Sequence, residues 1–155
     1  MMMKRIRNTL EQVARHCQEN GVRLTGKREK VLSCLLSSRR ALSAYELVDY
    51  CKTEFQETIP AMSVYRILDF LQGQSLVHKL SLSNKYVACS HITCGHKHEV
   101  SQFLICGECQ RVEEVAIGRA TVKKLHEDAD KEGFRITNPQ IEIDCVCKGC
   151  VAIND

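Results

Sequence analysis

Two Cys-x-x-Cys pairs in the second half of the chain constrain its fold more than any other feature. They are Cys106–Cys109 and Cys147–Cys150, and 37 residues separate the pairs. Two residues between cysteines let both thiolates reach one ion from a tight turn, and four thiolates suit tetrahedral zinc. This separation exceeds the roughly 15–20 residues of a compact zinc ribbon. A single zinc ion would therefore close a long loop and hold a whole subdomain together.

Ten cysteines in 155 residues could also indicate disulfide bonds. However, the start of the chain continues into polar residues rather than an apolar stretch, which argues against a secretory signal. No apolar run reaches the roughly 18 residues that a membrane span needs. We therefore expect a cytoplasmic protein without membrane association, in which clustered Cys and His residues are metal ligands.

Charge and metal-ligand residues are divided unevenly along the chain. Residues 1–84 contain 13 Lys and Arg against 8 Asp and Glu, whereas residues 85–155 contain 9 against 11. The second part also contains seven of the ten cysteines and four of the six histidines. A basic part followed by a ligand-rich part is expected of a DNA-binding domain followed by a sensing or assembly domain.

The first half has the pattern of a winged helix-turn-helix. Apolar spacing predicts a helix over 4–20, a second helix capped by Thr25, and a third opened by the capping box Ser43–Glu46. After a fourth helix, two short strands, Leu76–Leu80 and Lys85–Ala88, form a hairpin. Several short helices followed by a two-stranded hairpin predict a wing.

The fourth helix is the predicted recognition helix. It is expected after Pro60, with Ser63 as its cap and Gly73 near its end. In this plan the helix before the hairpin enters the major groove of double-stranded DNA. Tyr65 and Arg66 lie on its polar face, where a guanidinium group can bind phosphate or a guanine edge and a phenol hydroxyl can bind phosphate.

A second candidate metal site follows the wing. The eleven residues Cys89–Glu99 include two cysteines, three histidines and one glutamate, a density that predicts metal binding. His78 lies on the first predicted wing strand and Cys89 just after the second. A thiolate combined with imidazoles favours zinc over iron or manganese, while nickel fits the same ligand types.

The second half is predicted to be a small α/β domain. Strands are expected at Phe103–Cys106, Arg111–Val115 and Phe134–Cys145, with a helix at Gly118–Lys131 between the last two. The helix should turn three apolar residues inward: Val122, Leu125 and Ala129. So small a core leaves sheet edges and one face uncovered, which favours pairing with a second copy.

These patterns predict an α+β chain in three parts. They are a winged-helix DNA-binding domain at 1–84, a hinge and metal-sensing loop at 85–101, and a dimerisation domain with a four-cysteine zinc site at 102–155. Four-ligand zinc sites leave no position for a substrate, so we expect neither an enzyme nor a small-molecule substrate. In a thiol-disulfide enzyme the Cys-x-x-Cys motif opens a helix after a strand. Here one pair lies between β-like runs and the other near the end of the sequence.

Several segments resemble the ferric-uptake-regulator family, in order over nearly the whole chain. They are V-R-L-T-G-K-R at 22–28, S-V-Y-R-I-L-D-F-L at 63–71, L-V-H-K at 76–79, and the two cysteine pairs C-G-E-C and C-K-G-C. Leu42–Asp49, the His-Lys after the recognition helix, and Tyr86–Cys89 are most similar to the zinc-uptake-regulator branch. The resemblance implies a homodimeric repressor that binds operator DNA when loaded with zinc and controls zinc uptake genes. One departure is Gly26, where the family usually has proline.

The resemblance also implies roles for particular residues. The structural zinc ligands are Cys106, Cys109, Cys147 and Cys150. The regulatory zinc ligands are His78, Cys89, Glu114 and one loop histidine, either His96 or His98, with Cys94 as an extra candidate. The DNA-binding residues are Tyr45, Tyr65 and Arg66, with Ser63 counted among them. Such a regulatory set would connect the two domains, so that zinc acts as a hinge switch.

Three alternatives remain at this point. A sibling sensor for iron, nickel or peroxide would share the fold, although Cys89 fits a peroxide-sensing iron site poorly. The others are a zinc-buffering protein without a DNA role and a thiol-redox protein.

Overall fold

A computed structural model describes residues 1–92, 100–137 and 140–154 of the chain. The chain divides into two compact units, Met1–Gly95 and His96–Asp155. The domain bounds expected from the sequence, with a separate hinge at 85–101, stay predictions. No helix in the described part of the chain is both long and apolar enough to cross a membrane.

The first unit is a winged helix, as the sequence predicts. Its elements are α1 (Met2–Glu19), α2 (Gly26–Ser38), α3 (Ala44–Phe55), α4 (Ala61–Gly73), β1 (Val77–Leu80) and β2 (Lys85–Ala88). Strands β1 and β2 pair in antiparallel register, with Leu80 opposite Lys85. The core lies among α1, α2, α3, α4 and the hairpin, and its largest fully buried side chains include Leu32, Leu47, Ile59 and Leu68.

Local backbone and capping features mark the end of α1 and the starts of α2 and α3. Gly21, with φ of 71°, follows the end of α1. The Thr25 hydroxyl accepts a hydrogen bond from the Arg28 N–H at 3.4 Å. The predicted capping box is present: the Ser43 hydroxyl accepts from the Glu46 N–H at 3.1 Å, and the Glu46 carboxylate accepts from the Ser43 N–H at 2.7 Å. Each contact satisfies an amide that has no partner within the helix.

Helix α4 begins directly after Pro60, as predicted, but its cap differs from the prediction. Ser63 is not its cap, because the helix already begins at Ala61 with Pro60 in the cap position and no side-chain cap bond. Proline suits a helix start because it has no N–H to satisfy and its φ is already near the helical value. The preceding Ile59 is fully buried and anchors the chain at this point. Ser63 therefore lies within the first turn and is half-buried.

The three cysteines of the helices are core residues. Cys17, Cys34 and Cys51 are at most 1% exposed. The sulfur atoms of Cys34 and Cys51 lie 3.0 Å apart between α2 and α3. Burial among apolar neighbours raises the pKa of the Cys17 thiol. These thiols act as small apolar side chains of the helical core.

The second unit is built on a three-stranded sheet. Its elements are β3 (Ser101–Cys106), β4 (Val112–Ala116), α5 (Arg119–Lys131), β5 (Gln140–Cys145) and α6 (Lys148–Asn154). The strand order is β4-β3-β5. Strand β3 pairs with β4 in antiparallel and with β5 in parallel register.

Two expectations for this unit are wrong, and one of its helices was not expected. The last strand begins at Gln140 rather than Phe134, because Phe134 completes the end of α5: its N–H bonds the Ala129 carbonyl at 2.8 Å, next to Gly133 with φ of 80°. Leu125 does not point inward but is 39% exposed. Finally, the sequence pattern does not predict α6, which is seven residues long.

Candidate metal centres and nucleic-acid interface

The four cysteines of the two Cys-x-x-Cys pairs come together where the paired strands β3 and β5 end. Cys106 is the last residue of β3 and lies opposite Cys145 in the parallel register, so both strands end at the same edge. The Gly107 N–H continues the ladder by bonding the Cys145 carbonyl at 3.0 Å. Each pair therefore begins where its strand ends, which brings the two turns side by side.

The sulfur positions match a tetrahedral zinc site. All four ligand atoms lie within 4.8 Å of one another. The Cys109 and Cys147 sulfur atoms are 3.8 Å apart, close to the roughly 3.8 Å edge of a tetrahedron with about 2.3 Å zinc–sulfur bonds. The described residues therefore fit zinc by number, ligand type and spacing.

Backbone amides around the cluster stabilise thiolates. The Cys147 N–H donates to the Cys106 sulfur at 3.3 Å. Hydrogen bonds from the Cys109 and Cys147 amides lower the pKa of Cys106 to about 6, and the Cys150 amide lowers the pKa of Cys147. The Cys150 pKa is raised to about 12, mainly by its hydrogen bond with the Cys147 sulfur. Only thiolates bind zinc strongly, and a lowered pKa favours the thiolate form. The Cys106 and Cys147 sulfur atoms are therefore suited to bind a metal ion.

A fifth thiol lies nearby but outside the cluster. Cys145 stands two residues before Cys147, and its S–H donates to the Ile143 carbonyl at 3.4 Å. It is not among the four residues whose sulfur atoms converge. The spacing rule for Cys-x-x-Cys pairs therefore selects the converging cysteines from the five that lie after residue 100.

The second cysteine pair opens a helix, contrary to the expectation. Cys147 directly precedes α6, and the Val151 N–H bonds the Cys147 carbonyl at 3.0 Å. The sequence offered little signal for this helix, because one or two turns are too short to show a helical repeat of apolar residues. The position of this motif therefore does not distinguish the chain from a thiol-disulfide enzyme. The convergence of four sulfur atoms distinguishes the site from a lone redox pair.

Two of the predicted regulatory ligands lie together on the wing of the first unit. His78 is the second residue of β1, opposite Val87, and Cys89 directly follows β2. A ring nitrogen of His78 and the Cys89 sulfur lie within 4.8 Å of each other. Cys89 is only 8% exposed, and its N–H bonds the Leu76 carbonyl at 2.9 Å. An imidazole and a thiol held this way would supply two of the four ligands of a zinc site.

The remaining predicted regulatory ligands are placed less completely. Glu114 lies on β4 of the second unit, where its carboxylate accepts a hydrogen bond from the Ser101 hydroxyl at 3.2 Å. His96, His98 and Cys94 lie outside the described residues. The identity of the loop ligand therefore stays a prediction, with His96 or His98 as the histidine and Cys94 as an extra candidate.

The predicted DNA-binding residues lie at the starts of α3 and α4. Arg66 is exposed on α4, and Tyr45, the second residue of α3, is 67% exposed. The Tyr65 and Tyr45 rings meet edge to face, with centroids 6.4 Å apart and planes at 85°. This contact joins α4, the predicted recognition helix, to α3. Phenol and guanidinium groups are suited to phosphates and base edges.

Comparison with known proteins assigns the chain to a family. The model of the ferric uptake regulator family matches residues 19–144, which span the fold from the end of α1 to β5. The chain belongs to the ferric uptake regulator family. The resemblance in sequence motifs is thereby confirmed.

Several members of the ferric uptake regulator family are similar over almost their whole length. The zinc uptake regulation protein of Escherichia coli K12 is 37% identical over 145 residues, covering 93% of this chain and 82% of that protein. A solved structure of a zinc uptake regulator complexed with zinc and DNA is 32% identical, with a TM-score of 0.83 over 96% of this chain and 97% of that chain. The peroxide operon regulator of Bacillus subtilis is 25% identical over 142 residues, covering 91% of this chain and 92% of that protein.

Proposed function

We propose that the chain is a zinc-responsive transcriptional repressor. It binds operator DNA as a homodimer when its regulatory zinc site is filled, and it controls zinc uptake genes. It acts in the cytoplasm and carries no catalytic activity. The observation that carries this proposal is the similarity, over nearly all of the chain, to zinc uptake regulators, including one solved with zinc and DNA.

The proposal assigns two zinc sites to each chain. Cys106, Cys109, Cys147 and Cys150 hold a structural zinc, which ties the ends of β3 and β5 together. When bound there, zinc supplies four bonds that stabilise a small core and no redox chemistry. The convergence of four sulfur atoms in a tetrahedral spacing supports this assignment.

The regulatory site begins with His78 and Cys89 on the wing. The family resemblance completes it with Glu114 and a loop histidine, His96 or His98. A set that includes a thiolate and imidazoles selects a borderline-soft ion such as zinc. If zinc binds the DNA-competent state more tightly than other states, it shifts the population towards that state. By reciprocity, operator DNA tightens zinc binding by the same factor.

The DNA contacts are assigned to the starts of α3 and α4. Arg66 and Tyr65 of the recognition helix enter the major groove, with Ser63 in the same turn, and Tyr45 contacts the backbone next to them. The exposure of Arg66 and Tyr45 and the edge-to-face contact of the two tyrosines support this surface. A second copy of the chain supplies the second half-site of a two-fold operator.

A sibling sensor for iron, nickel or peroxide is the main competing function. A sensor of that kind is less similar to this chain. The peroxide operon regulator of Bacillus subtilis is 25% identical to it, whereas the zinc uptake regulation protein of Escherichia coli is 37% identical. The thiolate of Cys89 also suits zinc better than an oxygen-sensitive iron site.

The deciding experiment is a metal titration of DNA binding. The purified protein, with its structural zinc retained, is mixed with a fluorescent fragment of a zinc uptake promoter at buffered free zinc, iron, nickel or manganese. Binding that switches on with zinc alone, at very low free concentration, supports the proposal. Switching by another metal transfers the function to a sibling sensor. Binding that no metal changes contradicts a regulatory role and favours zinc buffering.

A further inference from the structure

The wing is fastened to the start of α3 by both backbone and side-chain contacts. Leu42, just before α3, exchanges two backbone hydrogen bonds with Tyr86 of β2, at 3.0 and 2.8 Å. Next to this bridge, the Lys85 ammonium donates to the Glu46 carboxylate at 3.2 Å. Residues 39 positions apart are therefore connected by an ion pair that neither the capping motif nor the hairpin requires.

Glu46 serves two partners with its two oxygen atoms. Oε2 accepts from the Ser43 N–H and closes the capping box, while Oε1 accepts from Lys85. The Ser43 N–H, followed by Lys85, holds the pKa of Glu46 below its ordinary value, so this carboxylate is charged at neutral pH. The Lys85 side chain is 24% exposed and that of Glu46 is 46% exposed. The pair is thus partly shielded from solvent, although it is not a buried ion pair.

Tyr45 is one of the two residues enclosed by this capping box. It lies between Ser43 and Glu46 in the first turn of α3, and its ring meets Tyr65 of the recognition helix. At the other end, Lys85 begins the strand that leads to Cys89, and His78 pairs with Val87 of that same strand. A continuous set of contacts within the first unit therefore connects the two wing ligands with two proposed DNA-binding tyrosines.

We propose that Lys85 is a positioning residue that couples the regulatory metal ligands of the wing to Tyr45 and thereby to operator DNA. This inference rests on the proposed function. Metal binding at His78 and Cys89 fixes strand β2. Through Lys85 and Glu46, the fixed strand holds the first turn of α3, so that Tyr45 and Tyr65 meet DNA in one arrangement.

The size of the effect follows from the exposure of the pair. Partly exposed ion pairs change an equilibrium by a small factor, so replacing Lys85 by Met should weaken zinc-loaded operator binding about two- to fivefold. Binding without regulatory zinc should not change, because there is then no bound metal for the ion pair to couple to DNA. In the Lys85→Met variant, operator DNA should also tighten zinc binding less than it does in the wild type. The difference should be the same factor, since the coupling is reciprocal.

The test is a double-mutant cycle read by operator affinity with and without regulatory zinc. Lys85→Met and Glu46→Gln each remove the ion pair, while glutamine retains the acceptor that the capping box needs. Each variant should lose the same factor with zinc, and the double variant should lose no more than either alone. Lys85→Arg keeps a cation within reach of Glu46 and should restore coupling. Circular dichroism should show that all four variants are folded.

Two results would overturn the inference. If Lys85 instead contacts a phosphate, Lys85→Met weakens binding while Glu46→Gln does not, and the slope of log affinity against log salt falls by about one. If the pair is only structural, binding falls equally with and without zinc. Wild-type protein, measured in parallel, separates these outcomes from failure of the proposed function, which would appear as zinc-independent binding of the wild type.

Discussion

Single residues of this chain differ in how far the sequence alone determines their role. The four cysteines of the structural site follow from spacing, because a tight turn is what lets two thiolates reach one ion. Ser63 shows the opposite case, since serine is a good cap wherever the backbone needs one, but Pro60 had already opened α4. His96 and His98 stay undecided, because two histidines one residue apart offer the same chemistry to a nearby ion.

Loss of one thiolate should have different consequences at the two sites. We expect Cys106→Ser to release the structural zinc and to unfold or monomerise the second unit, because the serine hydroxyl is a poor zinc ligand. Zinc content and the sedimentation coefficient measure this. Cys145→Ser is the matched control, since Cys145 lies on the neighbouring strand outside the sulfur cluster.

Cys89→Ser should spare folding and abolish zinc-dependent operator binding. Its thiol is a proposed regulatory ligand and lies on the wing of the first unit. Operator binding at buffered zinc, together with circular dichroism, tests this. Equal unfolding of Cys89→Ser and Cys106→Ser would show that the structural and regulatory roles are wrongly divided.

Arg66→Ala should weaken specific operator binding by about 5- to 150-fold for each half-site and leave the zinc content unchanged. A base-edge contact by arginine contributes about 1–3 kcal/mol to discrimination between sequences. Arg135→Ala is the control, because it removes the same charge from an exposed position in the second unit. The assignment of α4 as the recognition helix fails if both variants bind the operator alike.

At the scale of elements, helix ends decide which predictions hold. Thr25 and the Ser43–Glu46 box start helices where expected, because the side chains that satisfy free amides are visible in the sequence. The predicted start of β5 is wrong because the alternating apolar residues from Phe134 onwards have the pattern of a strand, whereas Phe134 closes the end of α5. The sequence does not predict α6 because seven residues cannot show a helical repeat.

Helix α2 offers a test of this reasoning about helix ends. Gly26 is its first residue, a Cβ there meets nothing within 4 Å, and Thr25 has the extended backbone that precedes proline readily. Gly26→Pro should therefore stabilise the first unit by about 0.4–1 kcal/mol through the unfolded state. Urea unfolding followed by helical circular dichroism measures this, with Gly26→Ala as the control. A lower midpoint for proline would mean that the Gly26 N–H or its φ matters in the folded state.

At the scale of the whole molecule, the second unit leaves several large apolar side chains exposed. They include Val115, Leu125, Phe134, Ile143, Val146, Val151 and Ile153. No residue of α5 is buried within the single chain. The sequence predicts an amphipathic helix here but not whether its apolar face meets its own sheet or a partner, since the pattern is the same in both cases. A second copy of the chain would cover this surface.

Leu125→Asp should convert the dimer to monomers, because it places a charge on the apolar face of α5, where the side chain is 39% exposed. Analytical ultracentrifugation at micromolar concentration measures the change. Leu82→Asp makes the same substitution at a 78% exposed position in the wing turn and should remain dimeric. Monomers in both variants, or in neither, would contradict an interface on α5.

The parallel pairing of β3 with β5 has a consequence for how the molecule forms. The chain from Cys106 to Gln140 must close into a loop before these strands can meet, whereas the helices of the first unit contact near neighbours in sequence. Local contacts form faster than contacts between distant segments. Pulsed hydrogen exchange during refolding should therefore protect amides of α2 and α4 before those of β3. A newly synthesised chain would then form its proposed DNA-binding surface before its structural zinc site. The rate of zinc binding would set how soon the second unit is complete.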